Sequence, residues 1–294
     1  MTATANFDRS QEDVSNIVHL EHVNVLVPDQ RLATLFYVTG LGLTRDPYLM
    51  TSVDNMWVNV GLSQFHLPTG KAQVLRGRTG LVIPDRAFLL KRLGSVRQHL
   101  AGTRFDFKEQ PDFIDAVCPW GNRLRIHEPD ARFGAIALGM PYVEFEVPAG
   151  AAEGISQFYR DTFATPSRLL EDANGRCAEI KVGRDQRLLF RETDGPLADY
   201  DGHHIQVYVA DFSGPHRKLG DRGLVSEESS QWQYRFLDIA DPGTGKILFR
   251  IEHEVRSMTH PLYARPLVNR NPYQTNREFV AGQETRTWAL PHSA

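Results

Sequence analysis

The chain has 294 residues, enough for one large domain or two of about 150, and either arrangement buries a full core. Hydrophobic residues make up 41% and charged residues 23%, ordinary globular values, and a net charge near −3 gives no reason to expect nucleic acid or a membrane surface as partner. No apolar run approaches the roughly 20 residues that span a bilayer, and the N-terminus lacks a signal-peptide core, so a cytoplasmic protein is expected. Cys118 and Cys177 are read as small buried thiols of a reducing compartment rather than as a disulfide.

Residues 1–16 are polar and patternless and predict a disordered tail. From Val18 the side chains alternate, with Val18, Leu20, His22, Asn24 and Leu26 on one face, which predicts a strand ending at Pro28. Asp29 then stands where a helix N-cap belongs, ahead of apolar residues at helical spacing up to Tyr37 and the stops Gly40 and Gly42. Residues 57–61 and 64–67 alternate like strands and close at the turn Pro68-Thr69-Gly70.

The same order of elements recurs. A second unit starts near Gly77, with its helix over 85–100, strands at 105–107, 114–117 and 123–127, and a turn at 119–122. The third starts near Met140, with its helix over 154–163. The fourth runs from about Asp201, with a short helix at 215–220, the turn Asp241-Pro242-Gly243-Thr244-Gly245 and a long strand over 247–254. The offsets His22 to Tyr142 (120), Phe36 to Phe158 (122) and Arg78 to His204 (126) point to a tandem duplication of a two-unit block. The expected division is 17–130 and 139–255, joined by a small-residue stretch near 131–138. Residues 256–294 are expected to form an extended C-terminal tail whose Arg265 and Arg270 either reach a neighbouring subunit or, the favoured reading, are solvated.

A histidine in the first strand, Phe-Tyr in the helix, and Gly-Asn-Arg or Asp-Pro-x-x-Gly before the last strand, repeated in register from about Val18 to Val255, resemble the vicinal oxygen chelate superfamily. That group includes glyoxalase I, bleomycin resistance proteins and extradiol dioxygenases. The resemblance implies an α+β fold of four βαβββ modules forming two strongly curved eight-stranded sheets. It also implies metal ligands on the first and last strand of each module.

Carried over, those positions are His22 and His66 in the first module, Arg78 and Arg125 in the second, Tyr142 and about Leu188 in the third, and His204 and about Phe249 in the fourth. Arginine does not bind metal. In dimeric glyoxalase-like proteins a cavity is often shared between modules of two subunits, which here implies that module one pairs with module four. That pairing unites His22, His66 and His204, ligands suited to Fe, Zn, Ni, Co or Mn. A register shift after Gly245 makes Glu252 the candidate fourth ligand and catalytic carboxylate. Trp57, Tyr208, Trp232 and Tyr234 are the candidate lining for a small-molecule substrate. His19, His127, His203 and His253 are read as structural or exposed; Arg78 and Arg125, with Tyr142, either bind an anionic group or, the favoured reading, pair with Glu144 or Glu128 in a retired site.

Three functions follow from the resemblance. The first is a divalent-metal enzyme that chelates two substrate oxygens for isomerase or lyase chemistry, as a monomer or homodimer. The second is an Fe(II) ring-cleaving dioxygenase, disfavoured because Tyr142 occupies a ligand place. The third is a metal-free binding or resistance protein.

Overall fold

The computed structural model describes residues 8–49 and 53–270; the remainder of the expected N-terminal tail and most of the C-terminal tail lie outside them. Four successive units share one element order. The first comprises β1 (Ile17–Asn24), α1 (Gln30–Ala33), β2 (Thr44–Arg45), β3 (Asn55–Val60) and β4 (Ser63–Pro68). The second is β5 (Gly77–Val82), α2 (Arg86–Val96), β6 (Asp106–Glu109), β7 (Ile114–Val117) and β8 (Arg123–His127). The third is β9 (Gly139–Pro148), α3 (Ala152–Phe163), β10 (Ser167–Asp172), β11 (Gly175–Lys181) and β12 (Arg187–Thr193). The fourth is β13 (His204–Val209), α4 (Ser213–Gly220), β14 (Val225–Ser230), β15 (Gln233–Ala240) and β16 (Ile247–Ser257).

Helix starts follow the expected chemistry. The Asp29 carboxylate accepts from the backbone N–H of Leu32, and the Asp85 carboxylate from that of Phe88, each satisfying a donor that the first helical turn leaves open. After α1 the chain continues as a π-helix over Thr34–Gly40, a difference from the simple helix expected; the Leu41 N–H reaches back to the Phe36 carbonyl.

The strands form two open eight-stranded mixed sheets. The order is β14-β15-β16-β13-β1-β4-β3-β2 in one and β10-β11-β12-β9-β5-β8-β7-β6 in the other. Each sheet therefore joins one module from each half of the sequence, first with fourth and second with third. The joins are antiparallel, β1 to β13 and β5 to β9. Helices pair the other way: α2 packs on the π-helix of its own half, and α3 on α4. Phe36, Tyr37, Phe158 and Tyr159 are fully buried, as the repeated Phe-Tyr pair predicts. Cys118 and Cys177 are free and buried.

Two expectations need correction. Arg265 is not solvated: its Nη2 donates to the fully buried Asp46 carboxylate at 2.7 Å. Arg270 likewise reaches the Leu43 carbonyl. With Asn59 donating to the Val268 carbonyl and Asn269 bonding both backbone groups of Gly61, the segment after β16 straps across the first sheet to β3 and β4. A buried aspartate needs a cation, and the strap supplies it. The second correction is Arg125, whose partner is Asp115 at 3.1 Å rather than Glu144 or Glu128, whereas Arg78 does pair with Glu144 at 3.0 Å.

Candidate metal centre

The join between β1 and β13 sets His22 opposite Gln206 and Asn24 opposite His204, and the parallel strand β4 sets His66 beside Asn24. Side chains two apart on a strand share a face, so all five project from the same side of the sheet. One ring nitrogen from each of His22, His66 and His204 lies within 4.8 Å of the others. The His22 ring centroid is 5.8 Å from that of His66 and 5.7 Å from that of His204. The trio draws on both halves of the chain.

Each ring is held from its outer side. The Nδ1–H of His22 donates to Glu21 at 2.7 Å, and His66 Nε2 meets the Asn55 side-chain oxygen at 2.7 Å. His204 Nδ1 stands 3.5 Å from Glu252. Among the described residues these contacts leave Nε2 of His22 and Nε2 of His204 buried without a hydrogen bond, and the His66 ring is bonded through Nε2. Burial pushes the protonation of all three rings down: His22 and His204 well below the ordinary histidine value, and His66 to about 2, with nearby Arg235 and Arg256 adding to the effect. Neutral imidazoles with convergent lone pairs and oriented outer nitrogens are the donor set that a borderline divalent ion requires. The residues fit such an ion.

Glu252 lies beside the trio and not within it. It is the strand partner of His204, and Arg235 holds its carboxylate. A second carboxylate that sequence reasoning missed, Glu254, occupies the position related to His66 by the repeat. His66 stands beside the residue two after His22, and Glu254 stands beside Gln206, the residue two after His204. Glu254 Oε2 is 3.7 Å from His204 Nε2, and its carboxylate is gripped by Arg235 and by Arg256, the latter at 2.6 Å. The alternation over β16 and the module offset were the available signal; the length of the turn after Asp241 hid the register. Burial raises the carboxyl groups of both Glu254 and Glu21. A cation among the three rings would counter that by favouring the charged forms.

The aromatic candidates separate. Trp57 belongs to the site: it stacks on His66 at 3.7 Å with an interplanar angle of 13° and meets His22 edge-on at 5.0 Å. Tyr208 shares the face but stands further along β13, against Tyr263 and Arg256. Tyr234 projects from the other face of its sheet, against Phe212 and His216, and Trp232 sits 41% exposed at the hairpin between β14 and β15. Structural histidines are also distinct, with His203 bonded to Asp201 at 2.6 Å and His253 to the Tyr159 hydroxyl at 2.6 Å. At the matching place in the second sheet, Arg78 and Arg125 are each neutralised by a carboxylate, and Tyr142 lies over Gly80 with its hydroxyl 3.0 Å from His127.

No protein-family model matches the sequence, and no curated protein matches it. Solved structures do. Glyoxalase I from Zea mays is similar at 12% identity and a TM-score of 0.56, over 81% of this chain and 92% of that one. A structure described as a putative dioxygenase from Bacillus subtilis is similar at 15% identity and a TM-score of 0.55, over 83% and 86%. No helix among the described residues is long and apolar enough to cross a membrane. The four-module architecture and these likenesses show the fold: paired βαβββ modules in two eight-stranded sheets, shared with glyoxalase I from Zea mays.

Proposed function

We propose that the chain is a divalent-metal-dependent enzyme that takes a small oxygen-bearing substrate at the histidine trio, for isomerase or lyase chemistry. The observation that carries this reading is the convergence of three neutral imidazoles from three strands, two buried and one half-buried, the two buried ones each with a nitrogen that has no hydrogen bond among the described residues. His22, His66 and His204 would hold the ion. When bound, it supplies Lewis-acid polarisation of a substrate carbonyl. Glu254 is the chain's proton carrier beside it: burial raises its carboxyl, and Arg235 and Arg256 fix its orientation. Glu252 orients His204, a role the sequence alone did not assign to it. Trp57 covers the His66 ring and excludes water from that side. Asn24 Oδ1 and both polar atoms of the Gln206 amide are buried beside the trio without partners among the described residues and are the groups available to hydrogen-bond a bound oxygen compound.

Three imidazoles without a carboxylate differ from the two-histidine, one-carboxylate face of Fe(II) oxygenases, which places ring cleavage second. The test is metal content. Protein purified without chelators, then reloaded with Fe(II), Zn, Ni, Co or Mn, is expected to hold about one equivalent of one of them, and His22→Ala or His204→Ala to lose it. Less than about a tenth of an equivalent with every metal would sink the reading and leave a binding protein. Oxygen uptake with catechols by the Fe(II)-loaded sample would promote the dioxygenase instead.

A further inference from the structure

Behind the His22 ring lies a second compartment that the proposed chemistry does not use. It is a cavity of about 450 Å³ between the two sheets, floored by β1 and β13, walled by the segment leading into β9 and by the β11–β12 turn, and roofed by the strap at 262–267. Its volume is in the range of small-molecule sites, about 300–1,000 Å³. Most of its polar lining is already satisfied within the protein. Gln186 spends its amide on Leu20, Ser63 and Met140, and both His19 ring nitrogens face acceptors, Gln186 at 2.9 Å and the Leu62 carbonyl at 2.8 Å.

Glu21 and Arg265 each keep polar atoms without a hydrogen bond among the described residues. Glu21 lines the cavity and is 5% exposed; its Oε2 takes His22 Nδ1 and faces Arg256 at 3.6 Å, while Oε1 makes no hydrogen bond among the described residues. Arg265 lines it from the roof. Nη2 is held by Asp46, while Nε and Nη1 have no hydrogen-bond partner among the described residues. The remaining walls are largely aliphatic, including Ile136, Leu138 and Leu267. A carboxylate oxygen without a donor, beside two guanidinium nitrogens buried without an acceptor, leaves room for a ligand that supplies both partners.

We infer that this cavity binds a small aliphatic acid carrying a hydroxyl or amino group, with the carboxylate on Arg265, the hydroxyl or amine on Glu21, and the hydrocarbon against Ile136, Leu138 and Leu267. The site is separate from the histidine trio, because Glu21 reaches His22 on the ring nitrogen opposite the one left free. It is also joined to the trio by that same bond. A ligand that draws on the Glu21 carboxylate weakens its hold on His22 Nδ1, so occupancy lowers metal affinity; this consequence alone rests on the metal reading.

Hydroxy acids chelate metals, so binding is measured on full-length protein treated with EDTA and freed of it, by calorimetry. The probes are 2-hydroxy-4-methylpentanoate, 4-methylpentanoate, which lacks the hydroxyl, and 3-methylbutan-1-ol, which lacks the carboxylate. The hydroxy acid is expected to bind one per chain, and each simpler probe to bind about tenfold or more weakly, the loss of one good hydrogen bond. Arg265→Met should abolish the preference for acid over alcohol. Glu21→Gln should reduce the preference for hydroxy acid over plain acid. Ile136→Trp, which fills the cavity from a partly exposed loop position, should abolish binding while leaving the far-ultraviolet circular dichroism unchanged. No saturable heat with the hydroxy acid, equal affinity for all three probes, or undiminished binding by Ile136→Trp would overturn the assignment. Because no metal is present, failure of the metal reading leaves this result standing, and the reverse holds too.

Discussion

Glu21 occupies a position that strict alternation turns away from the site. A β-bulge between Leu20 and His22 breaks the period, so the neighbour of His22 turns toward the same side and bonds it at 2.7 Å. Alternation in the sequence made His22 legible and Glu21 invisible, because nothing in the string Leu20-Glu21-His22 marks a bulge. Glu21→Gln keeps an acceptor for Nδ1–H but removes the charge that makes His22 a stronger donor to a metal. Zinc affinity should fall about tenfold or more, read by competition with a chelator of known strength, with the thermal midpoint little changed. An unchanged affinity would mean Glu21 only packs. A second residue-scale consequence concerns acid. Burial, aided by Arg132 and Arg125, lowers His127 from 6.5 to about 4, so the folded state resists a proton that the unfolded chain accepts. The stability it contributes is present above pH 6.5 and is lost as pH falls toward 4. His127→Gln should show a smaller fall in urea midpoint between pH 7 and 4.5 than the parent; equal falls would show that His127 is not responsible.

The four helices and most strands stand within a few residues of where periodicity and capping put them, since each is decided locally: Asp29 and Asp85 cap, and 123–127 alternates. What local pattern did not supply was the π-helical turn after Ala33 and the register of β16, which its pairing with β13 and β15 fixes. That register decides which glutamate stands in the His66-related place, which is why Glu252 was named and Glu254 was not. Close strand approach is another property a sequence carries only as a glycine. Gly77 opens β5 with φ 153°, and a Cβ there would lie 1.8 Å from the Glu144 carbonyl oxygen across the join to β9. The obstruction is backbone and cannot swing aside. Gly77→Ala should therefore cost about 2–4 kcal/mol in chemical denaturation. A loss below about 0.5 kcal/mol would show that the two strands separate easily there.

At the scale of the molecule, the governing feature is that the sheets cross the duplication while the helix pairs respect it. Cutting the chain at the small-residue stretch near residue 135 would leave each half with two modules but neither sheet complete. In the first half β1 and β5 would each lose an antiparallel partner, β13 and β9, and expose backbone donors and acceptors along central strands. Either half alone should be aggregation-prone, or should pair with itself to cover those edges. Produced together, the halves should reassemble, because every edge exposed by the cut is matched by one on the other fragment. The trio sharpens the test, since His22 and His66 lie in the first fragment and His204 in the second. About one equivalent of metal should therefore return in the mixture and in neither fragment alone, and substituting His204 in the second fragment should remove it. A first fragment that is monomeric, well ordered and metal-binding by itself would show that its two modules form a sheet with each other. The cross-half pairing would then not be what holds the site together.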